Sequence, residues 1–310
     1  MNLLHRIKPK IIDKVFYSRS KKISSLIRSI LNNNKLISIL DVGAGNRYLP
    51  VLLNFDGSAD ISLIDPHRSL FWSYNNLKKK FIFKERLKAY QLALGEKTKK
   101  RFFYVGKRST GSTFVNIFKN SKKKKTNLDM NYFSKGREIV KIFSTKDFLK
   151  KFNVQKPEIV KIDVEGLEIE VLKSVLKVSK PTIIQIETNV NSSVYFNTFD
   201  KVHDTLTSQG YFLATLHPSY SYSEYASTKD KFFTNYYDYP KIRSIITQTD
   251  NIYILKKNNS LRKILILIGY GFIIEAFQIY KLEKKIDLKD KKKLNNFFKN
   301  FIPKSIFKTL

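Results

Sequence analysis

The sequence has no cysteine, one tryptophan and two methionines, and among its 310 residues only 11 glycines and 8 prolines. Without cysteine there are no structural disulfides, no thiolate zinc or iron–sulfur ligands, and no cysteine nucleophile. So little glycine and proline excludes collagen-like and low-complexity chains. Acids are scarce as well, 26 Asp and Glu against 58 Lys and Arg, for a formal charge of +32. Long apolar runs are missing. Met1–Ile12 lacks the roughly 7–15-residue apolar stretch of a signal peptide. The longest run, 264–277, contains Glu275 and two glycines and falls short of the about 20 residues that span a bilayer. Neither a leader nor a membrane-spanning helix is expected.

What is present is apolar and aromatic. Hydrophobic residues make up 42% of the chain, with 24 Phe and 17 Tyr, enough for a packed core and against wholesale disorder. The charge has two readings. It is an electrostatic footprint for nucleic acid or an anionic membrane, or it is the surface of a chain rich in Lys, Asn, Ile, Phe and Tyr, residues written with A/T-rich codons.

Residues 1–35 read as a helical entry segment, with Ile23, Leu26, Ile27, Ile30 and Leu31 at helical spacing. From 36 to 256 short apolar runs alternate with helical patterns, the signature of βαβ units and a mainly parallel sheet. The expected strands are 38–42, 61–64, 89–92, 159–162, 182–187, 211–216 and 251–256, with helices at 165–178 and 196–209. Residues 100–146 interrupt the alternation as an insertion, with a further strand expected at 101–105. Over 256–310, 14 Lys and Arg face 4 Asp and Glu. Residues 257–310 therefore read as a basic helical appendage separate from the sheet. Its Leu282, Ile286, Leu294, Phe297, Phe298 and Phe301 alternate with lysines, as in a helix lying on an anionic membrane or packed on a protein face.

Three strand ends carry the chemistry. The first strand runs into Asp41-Val42-Gly43-Ala44-Gly45, where glycines let backbone N–H groups approach a ligand and Asp41 orders the loop or meets an ammonium. The third glycine of the dinucleotide fingerprint is replaced around Arg47 and Tyr48. The second strand ends in Asp65-Pro66, where a carboxylate grips a ribose diol or caps a helix. The fourth ends in Asp163-Val164-Glu165-Gly166, and ligands of open α/β sheets sit at such carboxyl ends. Glu168 fits a first-turn acid favoured by the helix dipole.

The run 161–172, KIDVEGLEIEVL, resembles the signature of the FkbM-type S-adenosylmethionine-dependent methyltransferases. Further landmarks follow in that family's order over roughly 36–256. Leu40–Gly45 is similar to its glycine motif, Asp65-Pro66 to its Glu-Pro, and Ala93-Leu94-Gly95 to its A-L-G. Gly111-Ser112-Thr113 is similar to its G-S-[ST] turn, 184–187 to its strand ending in Glu (here Glu187), and 250–254 to its closing edge strand. Gly45 stands where the family has Asn, and Asp65 where it has Glu.

The resemblance implies a Rossmann-like class I methyltransferase fold: a doubly wound, mainly parallel, seven-stranded sheet with an antiparallel edge strand. It implies S-adenosyl-L-methionine as cofactor, held by Asp41, Gly43, Gly45, Asp65, Pro66, Ala93 and Leu94. O-methylation of a sugar, glycan or glycolipid-precursor hydroxyl follows, with Asp163 and Glu165 at the reaction and Ser112, Thr113 and Glu187 toward the substrate. No metal site is assigned, although these acids also suit a hard divalent cation on a sugar diol.

RNA methylation is the competing class, since the charge supplies phosphate affinity. The absence of [ND]-P-P-[YFW] after the fourth strand and the acidic rim argue against it, so no nucleic-acid partner is expected. A third class is a non-catalytic module with a degenerate glycine loop. The expected location is cytoplasmic, with peripheral contact to the inner membrane face through 257–310 left open.

Overall fold

The structure is a computed structural model and describes residues 9–31, 35–45, 49–106, 112–114, 136–190, 198–221, 245–257 and 259–303. In chain order the elements are α1 (Pro9–Leu31), β1 (Ile37–Val42), β2 (Ala59–Ile64), α2 (Leu70–Lys80), β3 (Leu87–Tyr90), β4 (Ala93–Gly95), β5 (Lys99–Tyr104) and β6 (Arg137–Ser144). There follow α3 (Thr145–Phe152), β7 (Ile159–Ile162), α4 (Glu168–Leu176), β8 (Ile183–Asn189), α5 (Phe199–Ser208), β9 (Tyr211–Ser221), β10 (Ile245–Leu255), α6 (Leu261–Tyr270), α7 (Ile273–Leu282) and α8 (Leu288–Phe301).

Seven strands form one sheet in the order β3-β2-β1-β7-β8-β10-β9. The pairs from β3 to β8 are parallel, while β10 runs antiparallel to both β8 and β9. The antiparallel strand expected at the edge is therefore one place in, and 211–221 forms the edge. Part of the 100–146 insertion has structure of its own, because β5 and β6 join β4 in a second, three-stranded sheet.

The strands read as near-continuous apolar runs because both faces of the sheet are covered. Ile37, Ile39, Ile61, Leu63, Ile159, Ile183 and Ile254 point into one core, shared with α1, α2, the 3-10 turn at Pro50–Phe55, and α6 to α8. Leu40, Val42, Ile64, Val160, Ile162, Ile184 and Ile186 point into the other, under α3, α4, α5 and the small sheet.

The C-terminal segment is not the separate appendage that its composition suggests. Ile264, Leu265, Ile266, Leu267 and Ile268 of α6 are all buried in the first core, each contributing roughly 1.5–3 kcal/mol relative to exposure. Arg262 ties α6 to the sheet. Its guanidinium pairs with both oxygens of Glu158 and donates to the carbonyls of Lys35 at 2.7 Å and Leu36 at 2.8 Å. The apolar stripe of α8 is covered too: Leu294, Phe297 and Phe298 are buried, and Phe298 packs on Phe277 and Tyr280. That part of the stripe packs on protein, while Leu282 at the end of α7 is exposed. Among the described residues no helix is long and apolar enough to cross a membrane.

Candidate active site

The carboxyl ends of β2, β1 and β7 are held together beyond the regular ladder. Gly43 N donates to Ile64 O at 2.8 Å, Asp163 N to Val42 O at 2.9 Å, and Asp65 N to Tyr90 O at 3.3 Å. Gly43 is required here. Its φ is +82°, and a Cβ at this position would lie 1.6 Å from the Asp163 carbonyl oxygen. Gly45, at φ +47°, donates its N–H to Asp65 Oδ2 at 2.9 Å. Asp65 Oδ1 accepts from His67 N at 2.6 Å. Each carboxylate oxygen thus uses one acceptor position on the backbone and keeps another for a ligand. Burial pushes the Asp65 carboxyl up to about 6, against the two backbone hydrogen bonds that lower it.

These ends open on a cavity of about 450 Å³. Of the residues assigned to cofactor, Gly43, Gly45, Asp65, Pro66, Ala93 and Leu94 line it. Asp163, Glu165, Glu187 and Ser112 line it as well. Asp41 and Thr113 are placed differently. Asp41 is fully buried on the opposite side of β1 from Val42, its carboxylate paired with Lys161 Nζ at 3.5 Å. Thr113 donates its hydroxyl to the carbonyl of Glu165, so it holds the loop that carries Glu165. Gly111 and the Asn46–Tyr48 stretch lie outside the described residues.

The loop after β7 is strained. Glu165 has φ +53°, left-handed for a non-glycine residue, and Gly166 follows at +113°. Glu168 is buried at the start of α4, and its carboxylate accepts from Gly166 N at 3.0 Å and Val164 N at 3.2 Å. The dipole reading of Glu168 is thereby sharpened: it closes the turn that presents Asp163 and Glu165.

One carboxylate oxygen from each of Asp163, Glu165 and Glu187 lies within 4.8 Å of the others. Burial, followed by the Asp163 charge, pushes Glu165 up to about 8 and Glu187 up to about 9. Burial alone would lower the Lys161 ammonium, but Asp163 and Asp41 outweigh it and hold Lys161 protonated.

Two charged lining residues escape the sequence reading. Lys161 lies inside the 161–172 run but belongs to a strand, where a lysine ordinarily marks an exposed edge. Asp250 reaches the cavity only through strand pairing, since β10 sets it opposite Glu187. Apolar walls come from Leu92, Leu94, Phe103, Phe114 and Leu167.

No curated protein matches the chain in sequence. Among solved structures it is similar to a methyltransferase FkbM from Methylobacillus flagellatus, with 13% identity over 71% of this chain and 43% of that one, and a TM-score of 0.38. The chain thus spans less than half the length of that relative. It is also similar to the O-methyltransferase TomG from Streptomyces achromogenes (11% identity, 77% and 80% covered, TM-score 0.38). A third likeness is the magnesium protoporphyrin IX methyltransferase from Synechocystis (7% identity, 76% and 79% covered, TM-score 0.35). The family model for the methyltransferase FkbM domain matches residues 41–213. That match covers more than half of the chain and contains the glycine turn, Asp65 and the β7 acids, and the chain belongs to the FkbM methyltransferase domain family.

Proposed function

We propose that the chain transfers a methyl group from S-adenosylmethionine to a hydroxyl of a sugar, glycan or glycolipid precursor. The observation that carries this reading is that two unlike sets of residues wall one cavity: the glycine turn with Asp65, and the carboxylates Asp163, Glu165, Glu187 and Asp250.

The first wall fits the cofactor. Asp65 keeps free acceptor positions for a diol, Gly43 and Gly45 leave room for backbone approach, and Leu92, Ala93 and Leu94 offer apolar surface beside them. When bound, S-adenosylmethionine supplies an electrophilic methyl on a sulfonium. The chain must then align an oxygen nucleophile with that methyl and keep water away. Asp163 is the proposed orienter of the acceptor hydroxyl. Glu165, held up at about 8, is a stronger base than an ordinary carboxylate and is ready to take that proton once ionised, as pH rises toward 8. Several carboxylates in one cavity also suit a polyhydroxylated acceptor, which donates many hydrogen bonds and carries no phosphate to be repelled.

The test is incubation with labelled S-adenosylmethionine and glycan extracts, followed by mass mapping of the product. Asp163→Ala is expected to abolish turnover and leave cofactor binding largely intact. Normal methylation by that variant removes the Asp163 assignment, and a labelled nucleic acid in place of a glycan removes the acceptor class.

A further inference from the structure

Among the described residues that line the cavity, Lys161 is the lone cation. Its side chain is almost wholly buried, with 8% of the residue exposed, and its ammonium carries three donors. Three oxygens surround it: Asp163 Oδ2 at 3.0 Å, Gly43 O at 3.1 Å, and Asp41 Oδ1 at 3.5 Å. These come from the two halves of the proposed site, the glycine turn and the reaction carboxylate, and from a buried acid behind both.

Neutralising Asp41 alone would not require this geometry. The ammonium donates to the Gly43 carbonyl at 3.1 Å and lies nearer to Asp163, at 3.0 Å, than to Asp41, at 3.5 Å. The Gly43 contact is informative because the turn is already pinned at two nitrogens, Gly43 N and Ala44 N, by Ile64 O. With the carbonyl held as well, the positive-φ turn has one orientation. A charge-assisted hydrogen bond in a water-poor site is also stronger than its surface counterpart.

We infer that Lys161 is a positioning residue that locks the glycine turn and the Asp163 carboxylate into one arrangement, so that cofactor affinity and acceptor alignment both depend on it. This rests on the S-adenosylmethionine-dependent reading above. The groups facing Lys161 and Asp163 in this network include Asp41 on β1, Asp65 after β2, Glu165 and Glu168 after β7, Glu187 on β8, Asp250 on β10 and Tyr270 on α6.

The experiment removes the charge-neutralising role and the positioning role separately. Lys161→Met alone strands buried carboxylates and is expected to lower the melting temperature. Adding Asp41→Asn removes one acid along with the base, and the double variant is expected to recover most of that loss. If Lys161 only neutralised Asp41, the double variant would bind S-adenosylmethionine as the parent chain does. As a positioning residue, its loss should weaken calorimetric S-adenosylmethionine binding about tenfold, the size of one charge-assisted hydrogen bond. Methylation of the glycan-extract acceptor should fall further than affinity does.

Lys161→Arg keeps the charge and displaces the donors, so it is expected to fold and to show the same weakening even where the double variant does not fold. Parental affinity in either folded variant overturns the inference. Failure of the parent chain itself to bind S-adenosylmethionine overturns the cofactor reading and this inference with it.

Discussion

A glutamate in water is charged at neutral pH, and the site holds several against that preference. Burial first, then repulsion by neighbouring acids, raises Glu165 to about 8 and Glu187 to about 9 from an ordinary 4.5, and burial raises Glu168 to about 7 against the backbone hydrogen bonds that lower it. Between those values the folded chain keeps protons that the unfolded chain has released, so unfolding releases protons and is favoured by rising pH. The contribution of these groups to stability is complete below about 4.5 and is lost as pH climbs through about 7 to 9. Melting of the cofactor-free chain is therefore expected to move to lower temperature across that window, as read by calorimetry. Glu187→Gln should flatten the dependence and raise the melting temperature near neutral pH by about 2–4 °C, while turnover falls. Such a trade of stability for function is common where like charges are gathered for chemistry. A melting temperature that is flat with pH in the parent chain would show that the acids are not held protonated.

At the scale of the element, what was legible in the sequence follows from local pattern, and what was missed follows from pairing. The strands 159–162 and 183–187 were readable because burial on both faces leaves unbroken apolar runs. Asp65 and Asp163 were readable because a strand end positions them without help from the rest of the chain. Asp250 was not, since its place depends on an antiparallel pairing with β8 from beyond a long gap in sequence. Lys161 was not, since its partners Asp41 and Gly43 belong to another strand end. The tail misled in a different way. Its lysines mark one side of α8, while α6 after Arg262 and Lys263 is an unbroken apolar run because it is a core helix. Leu267→Ala in α6 is expected to cost about 2–5 kcal/mol in denaturant unfolding, more than an exposed appendage would show. Gly43→Ala meets backbone at 1.6 Å and needs φ +82°. It should cost more than about 2 kcal/mol and abolish S-adenosylmethionine binding in a calorimetric titration.

For the whole molecule, sign and place of charge diverge. The chain carries +32 overall, yet its cavity is lined by Asp65, Asp163, Glu165, Glu187 and Asp250 with one lysine among them. The excess of positive charge on the exterior attracts a polyanion. Binding of RNA or heparin is expected to weaken steeply as salt rises, whereas S-adenosylmethionine affinity, set inside the cavity, should change little over the same series. Parallel shift assays and calorimetry would separate the two. Equal salt slopes would place the cofactor on the surface.

The strand order has a consequence in time. β9 hydrogen-bonds to β10 alone among the described strands, and β10 is made after it. During synthesis the sheet can therefore close only as far as β8, and β9 must wait for β10 to emerge and slip in between. The helices that cover one face, α6 to α8, emerge later still. A nascent chain halted near residue 240 would hold an open sheet edge and a bare apolar face at once, the condition in which chains aggregate or recruit chaperones. The sheet is thus completed only after β10 has been made, and its covered face only after α6 to α8.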